Sequence, residues 1–446
     1  MRIWSPARNG GVIYNQHPGT AMEKMTMNRK SAHVRRRQWL SVGLLTAVGI
    51  LFMLDRSTLA IANHNVSSDL HLSPTQMGLL LSSFSLAYAF SQLPLGILLD
   101  RIGARMVLGA GILVWAATQV FTGFVGSLSQ FLSARILLGL GEAPIFPAGA
   151  RMIADWFNKR ERGVPTGFFL TSTTIGPVLA PPTITALMLT LGWRNMYIAL
   201  GAFGLLLALI WFAGARNHKS VAFTAEELAY FDQTEAAHSA FTLARLGALL
   251  SQRSVWGLIL GFVGVIYTIW LYLTWLPVYL EHERHFSIAR VGWVLCIPYL
   301  FGTFGSLSCG YLADRLFRRG VSAINSRKYP ICIGLLGSAG FTIPVAYTPD
   351  ANMAVIYLCG VMFFLYLAST GAWALVNVVT PRHTVATVGA MQNFGGYFGG
   401  SFAPVVTGWL LEHTQSFKSS LLMSALVAFT AAVFYFALVR KPIQTS

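Results

Sequence analysis

The sequence consists largely of apolar runs of about 20 residues, the length that an α-helix needs to cross the hydrocarbon layer of a membrane. Apolar residues make up 54% of the chain and charged residues only 11%. This composition is too apolar for a soluble enzyme of 446 residues. We therefore predict an all-α polytopic membrane protein. Its twelve predicted transmembrane helices lie near residues 39–62, 75–99, 106–126, 129–152, 162–189, 194–213, 254–280, 288–313, 328–348, 351–378, 385–411 and 418–439.

The basic residues that give the chain its net charge of +16 are arranged as an orientation signal. Arg35, Arg36 and Arg37 precede the first predicted helix, and Arg440 and Lys441 follow the last. Loops rich in Lys and Arg stay on the cytoplasmic side of a membrane. We therefore expect a multi-pass protein of the cell (inner) membrane with both termini in the cytoplasm. The charge does not indicate a nucleic-acid partner.

The longest polar stretch divides the predicted helices into two groups of six. Within it, Thr224 and Glu227 have the spacing of a capping box, which predicts a surface helix in this linker. The predicted organisation is a cytoplasmic tail (1–38), a six-helix bundle (39–213), a cytoplasmic linker (214–253), a second six-helix bundle (254–440) and a short cytoplasmic tail (441–446).

A short loop motif recurs in the two halves with an offset of 214 residues. Its members are Gly96, Asp100 and Arg101 after the second predicted helix, and Gly310, Asp314 and Arg315 after the eighth. A matching motif at matching positions indicates duplication of a six-helix unit. In membrane carriers built from such repeats, the binding site lies between the repeats.

Four ionisable side chains lie inside predicted helices: Asp55 and Arg56 in the first, Arg135 and Glu142 in the fourth. An ionised group near the bilayer centre costs at least about 2.5–3.5 kcal/mol, so its presence asks for a functional reason. Arg135 and Glu142 lie on one helix face, about 10 Å apart along the axis. A carboxyl held beside an arginine can take up and release a proton. We interpret Asp55 and Glu142 as proton-coupling residues; a static ion pair between two helices is the alternative.

The two arginines are candidates for binding an anion, because a guanidinium presents two parallel donors to a carboxylate. We expect Arg56 to bind the substrate carboxylate. We expect Arg135 to be the partner of Glu142 in an ion pair that switches during transport. The reverse assignment stays open.

Polar and aromatic residues in other predicted helices complete the candidate site. They are Tyr88 in the second, Trp373 and Asn377 in the tenth, and Gln392 and Asn393 in the eleventh. Amide side chains hydrogen-bond hydroxyl groups, which suits a polyhydroxylated acid. Trp373 is also suited to stacking on an aromatic ring, and packing alone is the alternative for each of these residues.

The loop after the second predicted helix resembles the signature of the major facilitator superfamily. It reads Gly96-x-x-x-Asp100-Arg101-x-Gly103-x-Arg105. The resemblance implies the two-bundle fold of that superfamily. It also implies that these residues, with Asp314 and Arg315 of the repeat, gate access from the cytoplasmic side.

Three longer stretches are similar to the anion:cation symporter family within that superfamily. They are residues 54–62, residues 135–147 followed by Asp155-Trp156-Phe157 and Glu161-Arg162, and residues 392–404. The resemblance implies symport of a proton with an organic carboxylate. Residues at the positions of Tyr88, Trp373 and Asn393 face the substrate in the sugar-acid carriers of this family, whereas Thr173 replaces their glutamine of helix 5.

Together, these features predict proton-driven uptake of a small organic anion by alternating access. A sugar acid such as an aldonate, aldarate or hexuronate is expected, and an aromatic or other small carboxylic acid is the alternative. A proton antiporter exporting hydrophobic compounds and a non-transporting membrane receptor are further alternatives. We expect a monomer in the lipid bilayer, without cofactor or metal. Enzymatic activity is not expected, because we find no nucleophile paired with a base, no metal ligand set and no phosphate-binding loop.

Overall fold

The computed structural model describes residues 32–158, 161–216, 243–381 and 384–444. Within these ranges the chain is almost entirely helical. The N-terminal tail before residue 32 and the capping box of Thr224 and Glu227 lie outside the described residues. The twelve long helices are α1 (Ala32–Ile61), α2 (Pro74–Ile102), α3 (Ala104–Thr122), α4 (Leu128–Trp156), α5 (163–191), α6 (193–214), α7 (Arg253–Glu283), α8 (Ile288–Arg318), α9 (Ala323–Tyr347), α10 (Ala351–Val379), α11 (385–414) and α12 (Lys418–Leu438).

These helices confirm the predicted all-α architecture. In the described part of the chain, nine continuous stretches are long and apolar enough to cross a membrane, and one of them, Gly163–Gly214, contains both α5 and α6. The helices α2 and α11 complete the set of twelve. Shorter helices at Asn63–Asp69 and Leu243–Leu250 follow α1 and precede α7.

Several helices are broken where the sequence removes or weakens a backbone hydrogen bond. Gly192 has φ 76° and ψ 162°, a conformation that favours glycine, and it separates α5 from α6. The helix α4 is interrupted between Glu142 and Ile145, where Pro144 lacks a backbone N–H. The helix α11 is interrupted at Ser401. The break in α4 therefore lies directly after one of the candidate proton-coupling residues.

The helices pack as two groups that meet along three pairs. The helix α1 packs against α5 and α6, and α2 and α3 pack against α4. In the second group α7 packs against α11 and α12, and α10 packs against α8 and α9. The pairs that join the groups are α1 with α7, α2 with α11, and α5 with α8. Large apolar side chains such as Leu209, Leu307 and Ile356 face outward and suit a lipid environment.

Close contacts between the two groups lie at the helix ends remote from the linker, which we call the distal end. A Cβ on Gly78 would meet the Pro404 carbonyl, and one on Gly408 would meet the Pro74 carbonyl. Glycine at these two positions lets α2 and α11 approach backbone to backbone. The helix ends on the side of the linker and the termini form what we call the linker end.

Candidate functional site

The four charged residues singled out from the sequence are all buried among α1, α2, α3 and α4. Glu142 is 0% exposed, Asp55 1%, Arg135 2% and Arg56 6%. The helices α1 and α4 each supply one acid and one arginine. Burial of two acids with two arginines leaves the cluster with no net charge when all four are ionised.

The ion pair in this cluster joins α1 to α4. Arg56 Nε lies 3.6 Å from Glu142 Oε2. The sequence analysis expected Glu142 to pair with Arg135, its neighbour on the same helix face. The structure instead pairs Glu142 with Arg56 of the neighbouring helix α1.

Asp55 has a different direct partner. Consecutive residues of a helix are rotated by about 100°, so Asp55 and Arg56 project in different directions from α1. Gln119 Nε2, on α3, donates a hydrogen bond of 2.7 Å to Asp55 Oδ1. The partner of Asp55 is therefore a neutral amide.

Five aromatic rings surround the guanidinium of Arg56, and we call them the aromatic cage. Their centroids lie 4.2 to 5.9 Å from Arg56 Cζ. The rings belong to Phe52 of α1, Phe84 and Tyr88 of α2, Trp270 of α7 and Tyr397 of α11. Aromatic faces attract a cation, so the cage stabilises the charge of Arg56. Both halves of the molecule contribute to it.

Arg135 lies against the other side of Phe84. Its Nε donates to the Leu80 carbonyl at 3.3 Å, and its Cζ lies 4.8 Å from the Phe84 centroid. Its Nη1 is buried and has no hydrogen-bond partner among the described residues. Arg135 also interacts electrostatically with Glu142 and Asp55. It therefore lies close to both acids without forming a direct ion pair with either one in the described part of the structure.

The polar residues predicted in the second half occupy different surroundings. Asn393 Nδ2 donates to Gln92 Oε1 at 2.8 Å, which joins α11 to α2 across the two halves. Gln392 is fully buried, and neither atom of its amide has a partner in the described structure. Trp373 is 44% exposed with its ring 5.7 Å from Phe262, and Asn377 donates to the Trp373 carbonyl.

The predicted gating residues lie at the linker end of α2, α3 and α8. Gly103 has φ 86°, which favours glycine and allows the tight turn from α2 into α3. Arg105 Nη2 donates to the Phe212 carbonyl at 2.7 Å. Asp314 pairs with Arg327 at 3.7 Å.

Other members of the gating motif are exposed or border open space. Arg101 and Arg315 are exposed, and a Cβ on Gly96 would meet open space. The Asp100 side chain lies outside the described structure. The gating role of the motif remains a prediction.

The sequence analysis missed Gln119 and most of the cage. Gln119 is an amide in the last turn of α3, within a predicted membrane span, and the cost of burying a polar group there was a usable signal. Phe52, Phe84, Trp270 and Tyr397 carry no such signal, because aromatic residues are common in apolar helices. Only the packing of four helices reveals that they converge on Arg56.

The chemistry available to this site is the exchange of one carboxylate for another at Arg56, without any covalent change. Arg56 Nε and Nη2 have no hydrogen-bond partner among the described residues. These two nitrogens form one edge of the guanidinium and together can bind both oxygens of a carboxylate. A buried acid paired with an arginine whose Nε and Nη2 edge carries no hydrogen bond in the described structure, at the contact of two helical groups, is typical of a membrane transporter.

Comparison with known proteins assigns the family. The profile of the Major Facilitator Superfamily matches residues 45–404. The chain belongs to the major facilitator superfamily, whose members are transporters and not enzymes. The expected resemblance is thereby confirmed.

Relatives and solved structures of similar sequence or shape agree with this assignment. The "Probable L-galactonate transporter" of Escherichia coli (strain K12) is 40% identical over 418 residues, which cover 93% of this chain and 92% of that protein. The "Probable galactarate/D-glucarate transporter" of the same strain is 31% identical, covering 93% of this chain and 96% of that protein. A bacterial homolog of the human lysosomal transporter Spinster, crystallised inward-facing and unoccupied, shares the fold with a TM-score of 0.78 at 18% identity, covering 91% and 97% of the two chains.

Proposed function

We propose that the protein is a proton-coupled symporter that imports a sugar acid, such as an aldonate, aldarate or hexuronate. It lies in the inner membrane as a monomer with the linker and both termini in the cytoplasm, and it uses no cofactor or metal. The observation that carries the proposal is the pairing of the caged Arg56 with the Glu142 carboxylate. A substrate carboxylate has the same chemistry as the group that now occupies Arg56.

The distance between Arg56 and Glu142 supports such an exchange. A close charge-assisted hydrogen bond between N–H and carboxylate measures about 2.7–2.9 Å. The 3.6 Å between Arg56 Nε and Glu142 Oε2 is therefore an ion pair without a tight hydrogen bond. A substrate carboxylate that bound Nε and Nη2 of Arg56 with two hydrogen bonds would displace Glu142 from this ion pair.

A proton on Glu142 removes the negative charge that competes with the substrate for Arg56. Asp55, next to Arg56 on α1, supplies a second site where a proton reduces negative charge beside the incoming anion. Proton uptake and anion binding then favour each other. After transport, loss of the proton restores the ion pair of Arg56 and Glu142 and releases the anion. This sequence of steps accounts for symport with the cluster already described.

The remainder of a sugar acid requires hydrogen-bonding groups. Gln392 offers a buried amide whose two atoms have no partner in the described structure. Asn393 contributes an amide at the contact with Gln92, Trp373 and Asn377 lie on α10, and Tyr88 lies in the cage. The two named relatives are described as probable transporters of L-galactonate and of galactarate or D-glucarate, which are acids with several hydroxyl groups.

Uptake into proteoliposomes tests this proposal. With an inward proton gradient, we expect purified protein to accumulate labelled L-galactonate or galactarate, and a protonophore should abolish the accumulation. Competition by benzoate-type acids would favour the aromatic alternative. Proton-driven efflux of hydrophobic compounds would indicate the antiporter, and binding without flux would indicate a receptor. Either of these last two results overturns the proposal.

A further inference from the structure

We infer that Gln119 is the positioning residue that holds Asp55 in both of its protonation states, by presenting its N–H to the carboxylate and its carbonyl oxygen to the carboxylic acid. The inference rests on the proposed proton coupling and assigns a role to a residue that does not itself titrate.

The geometry around Asp55 makes Gln119 its direct partner. The hydrogen bond from Gln119 Nε2 to Asp55 Oδ1 measures 2.7 Å, and both residues are 1% exposed. The backbones of α1 and α3 make little contact with each other, so the long side chain of Gln119 spans the gap between the two helices. At this depth the carboxylate has no solvent to replace a lost donor, and burial without a partner would be costly.

The free oxygen of the same amide suits the protonated state. Gln119 Oε1 is buried and has no hydrogen-bond partner among the described residues. When Asp55 gains a proton, its O–H becomes a donor and the N–H of Gln119 no longer has a charged acceptor. Rotation of the amide by about 180° exchanges Nε2 for Oε1 and forms an O–H···O bond. The proton stays on Asp55, and no bond other than hydrogen bonds is made or broken.

The charged and titratable neighbours of Asp55 cannot replace this amide. Arg135 and Glu142 act on it from α4, and Tyr197 from α6. On α1 itself, Arg56 forms its ion pair with Glu142 and lies within the aromatic cage. The helix α5 presents Ser172 and Gly176 to α1, neither of which is charged. The helix α7 meets the region after α1 through a ring contact of His282 with His64 at the distal end.

Arg56 and Gln119 are therefore the direct partners of the two acids. Glu142 is paired with a cation that the substrate can take away. Asp55 is hydrogen-bonded to a neutral amide, which an anion does not compete for. Proton uptake on Glu142 is thus coupled directly to the substrate, whereas proton uptake on Asp55 depends on Gln119 and on the nearby charges of Arg135 and Glu142.

The variant Gln119→Met tests this inference, since it preserves side-chain length and removes both amide groups. Both forms of Asp55 lose a hydrogen bond, and the bond to the charged carboxylate is the stronger of the two, so Asp55 should keep its proton to higher pH. We expect the pH of half-maximal gradient-driven uptake to rise by about one unit, a tenfold change in proton concentration. The variant Gln119→Glu should restore a hydrogen-bonded pair with Asp55 in which the two carboxyl groups share one proton. The pH profile of uptake in this variant should therefore differ from that in Gln119→Met. Thr118→Val is the matched control, because the Thr118 hydroxyl bonds only within α3.

A direct measurement keeps the test independent of transport activity. The infrared C=O band of protonated Asp55 can be followed against pH in the Glu142→Gln protein. Adding Gln119→Met to that protein should keep the band present up to a higher pH. An unchanged band and an unchanged uptake profile in Gln119→Met would overturn the inference. Absence of acid-stimulated carboxylate uptake in the wild-type protein would instead overturn the proposed function, so the two failures are distinguishable. If Gln119→Met does not fold, Gln119→Glu takes its place. An Asp55 C=O band with the same pH dependence in Gln119→Glu as in the protein that retains Gln119 would then overturn the inference.

Discussion

At the scale of single residues, the guanidinium of Arg56 is the group on which the account depends. Five rings cover its faces, and its edge of Nε and Nη2 has no hydrogen-bond partner in the described structure. The arrangement uses properties that only arginine has. A planar cation fits between rings and still presents two parallel donors, whereas a lysine ammonium is a compact point charge.

The substitution Arg56→Lys should therefore separate charge from shape. It keeps the positive charge but removes the second parallel donor, and we expect the Kd of the substrate to increase by about 10- to 100-fold. Calorimetric titration of the detergent-purified protein with L-galactonate measures this change. The control is Arg290→Lys, since Arg290 is an exposed arginine that bonds Asn352 at 3.1 Å. Wild-type affinity in Arg56→Lys would show that Arg56 does not bind the carboxylate through two donors.

At the scale of helices, the contact of α2 with α11 at the distal end is built from both backbone and side chains. Glu412 of α11 accepts hydrogen bonds from Ser73 Oγ at 2.8 Å and from Thr75 N at 3.0 Å. The backbone N–H of Thr75 lies in the first turn of α2, and a helix N-terminus favours a negative charge. Glu412 therefore joins the two halves at the end where they approach most closely.

Removal of this carboxylate should loosen the distal end. In Glu412→Ala, we expect spin labels on the exposed positions His71 and Gln415 to show a longer and broader distance distribution. Electron–electron double resonance in proteoliposomes measures it. Glu281→Ala is the control, because it removes a carboxylate from the distal end but not from the contact of α2 with α11. A distribution identical to that of the unsubstituted protein would mean that glycine packing alone closes this end.

The helices also show what a sequence can and cannot predict. Apolar runs predicted all twelve long helices, and the break between α5 and α6 was expected within the residues around Gly192. The four buried charges were evident because their cost in a bilayer is large. Their partners were not, because helical periodicity gives the face of a residue but not the neighbouring helix it meets. The pairing of Arg56 with Glu142, the hydrogen bond from Gln119 and the aromatic cage all depend on contacts between helices.

At the scale of the whole molecule, the two halves contribute unequally to the site. Both acids and both arginines belong to the first six helices. The second half supplies Trp270 and Tyr397 to the cage and holds Asn393 against Gln92 at 2.8 Å. A movement of α7 and α11 away from α1 and α2 would remove two rings and expose Arg56. In this account, opening of the carrier and access to its anion-binding arginine are one event.

The central claim is that a proton on Glu142 frees Arg56 for the substrate, and Glu142→Gln tests it most directly. The amide imitates a permanently protonated acid, so binding and exchange continue while no proton is released. In proteoliposomes, we predict full counterflow exchange of labelled L-galactonate but no accumulation driven by a proton gradient. Glu281→Gln, at the distal end, should retain both activities. Accumulation by Glu142→Gln equal to that of the wild-type protein would contradict the account.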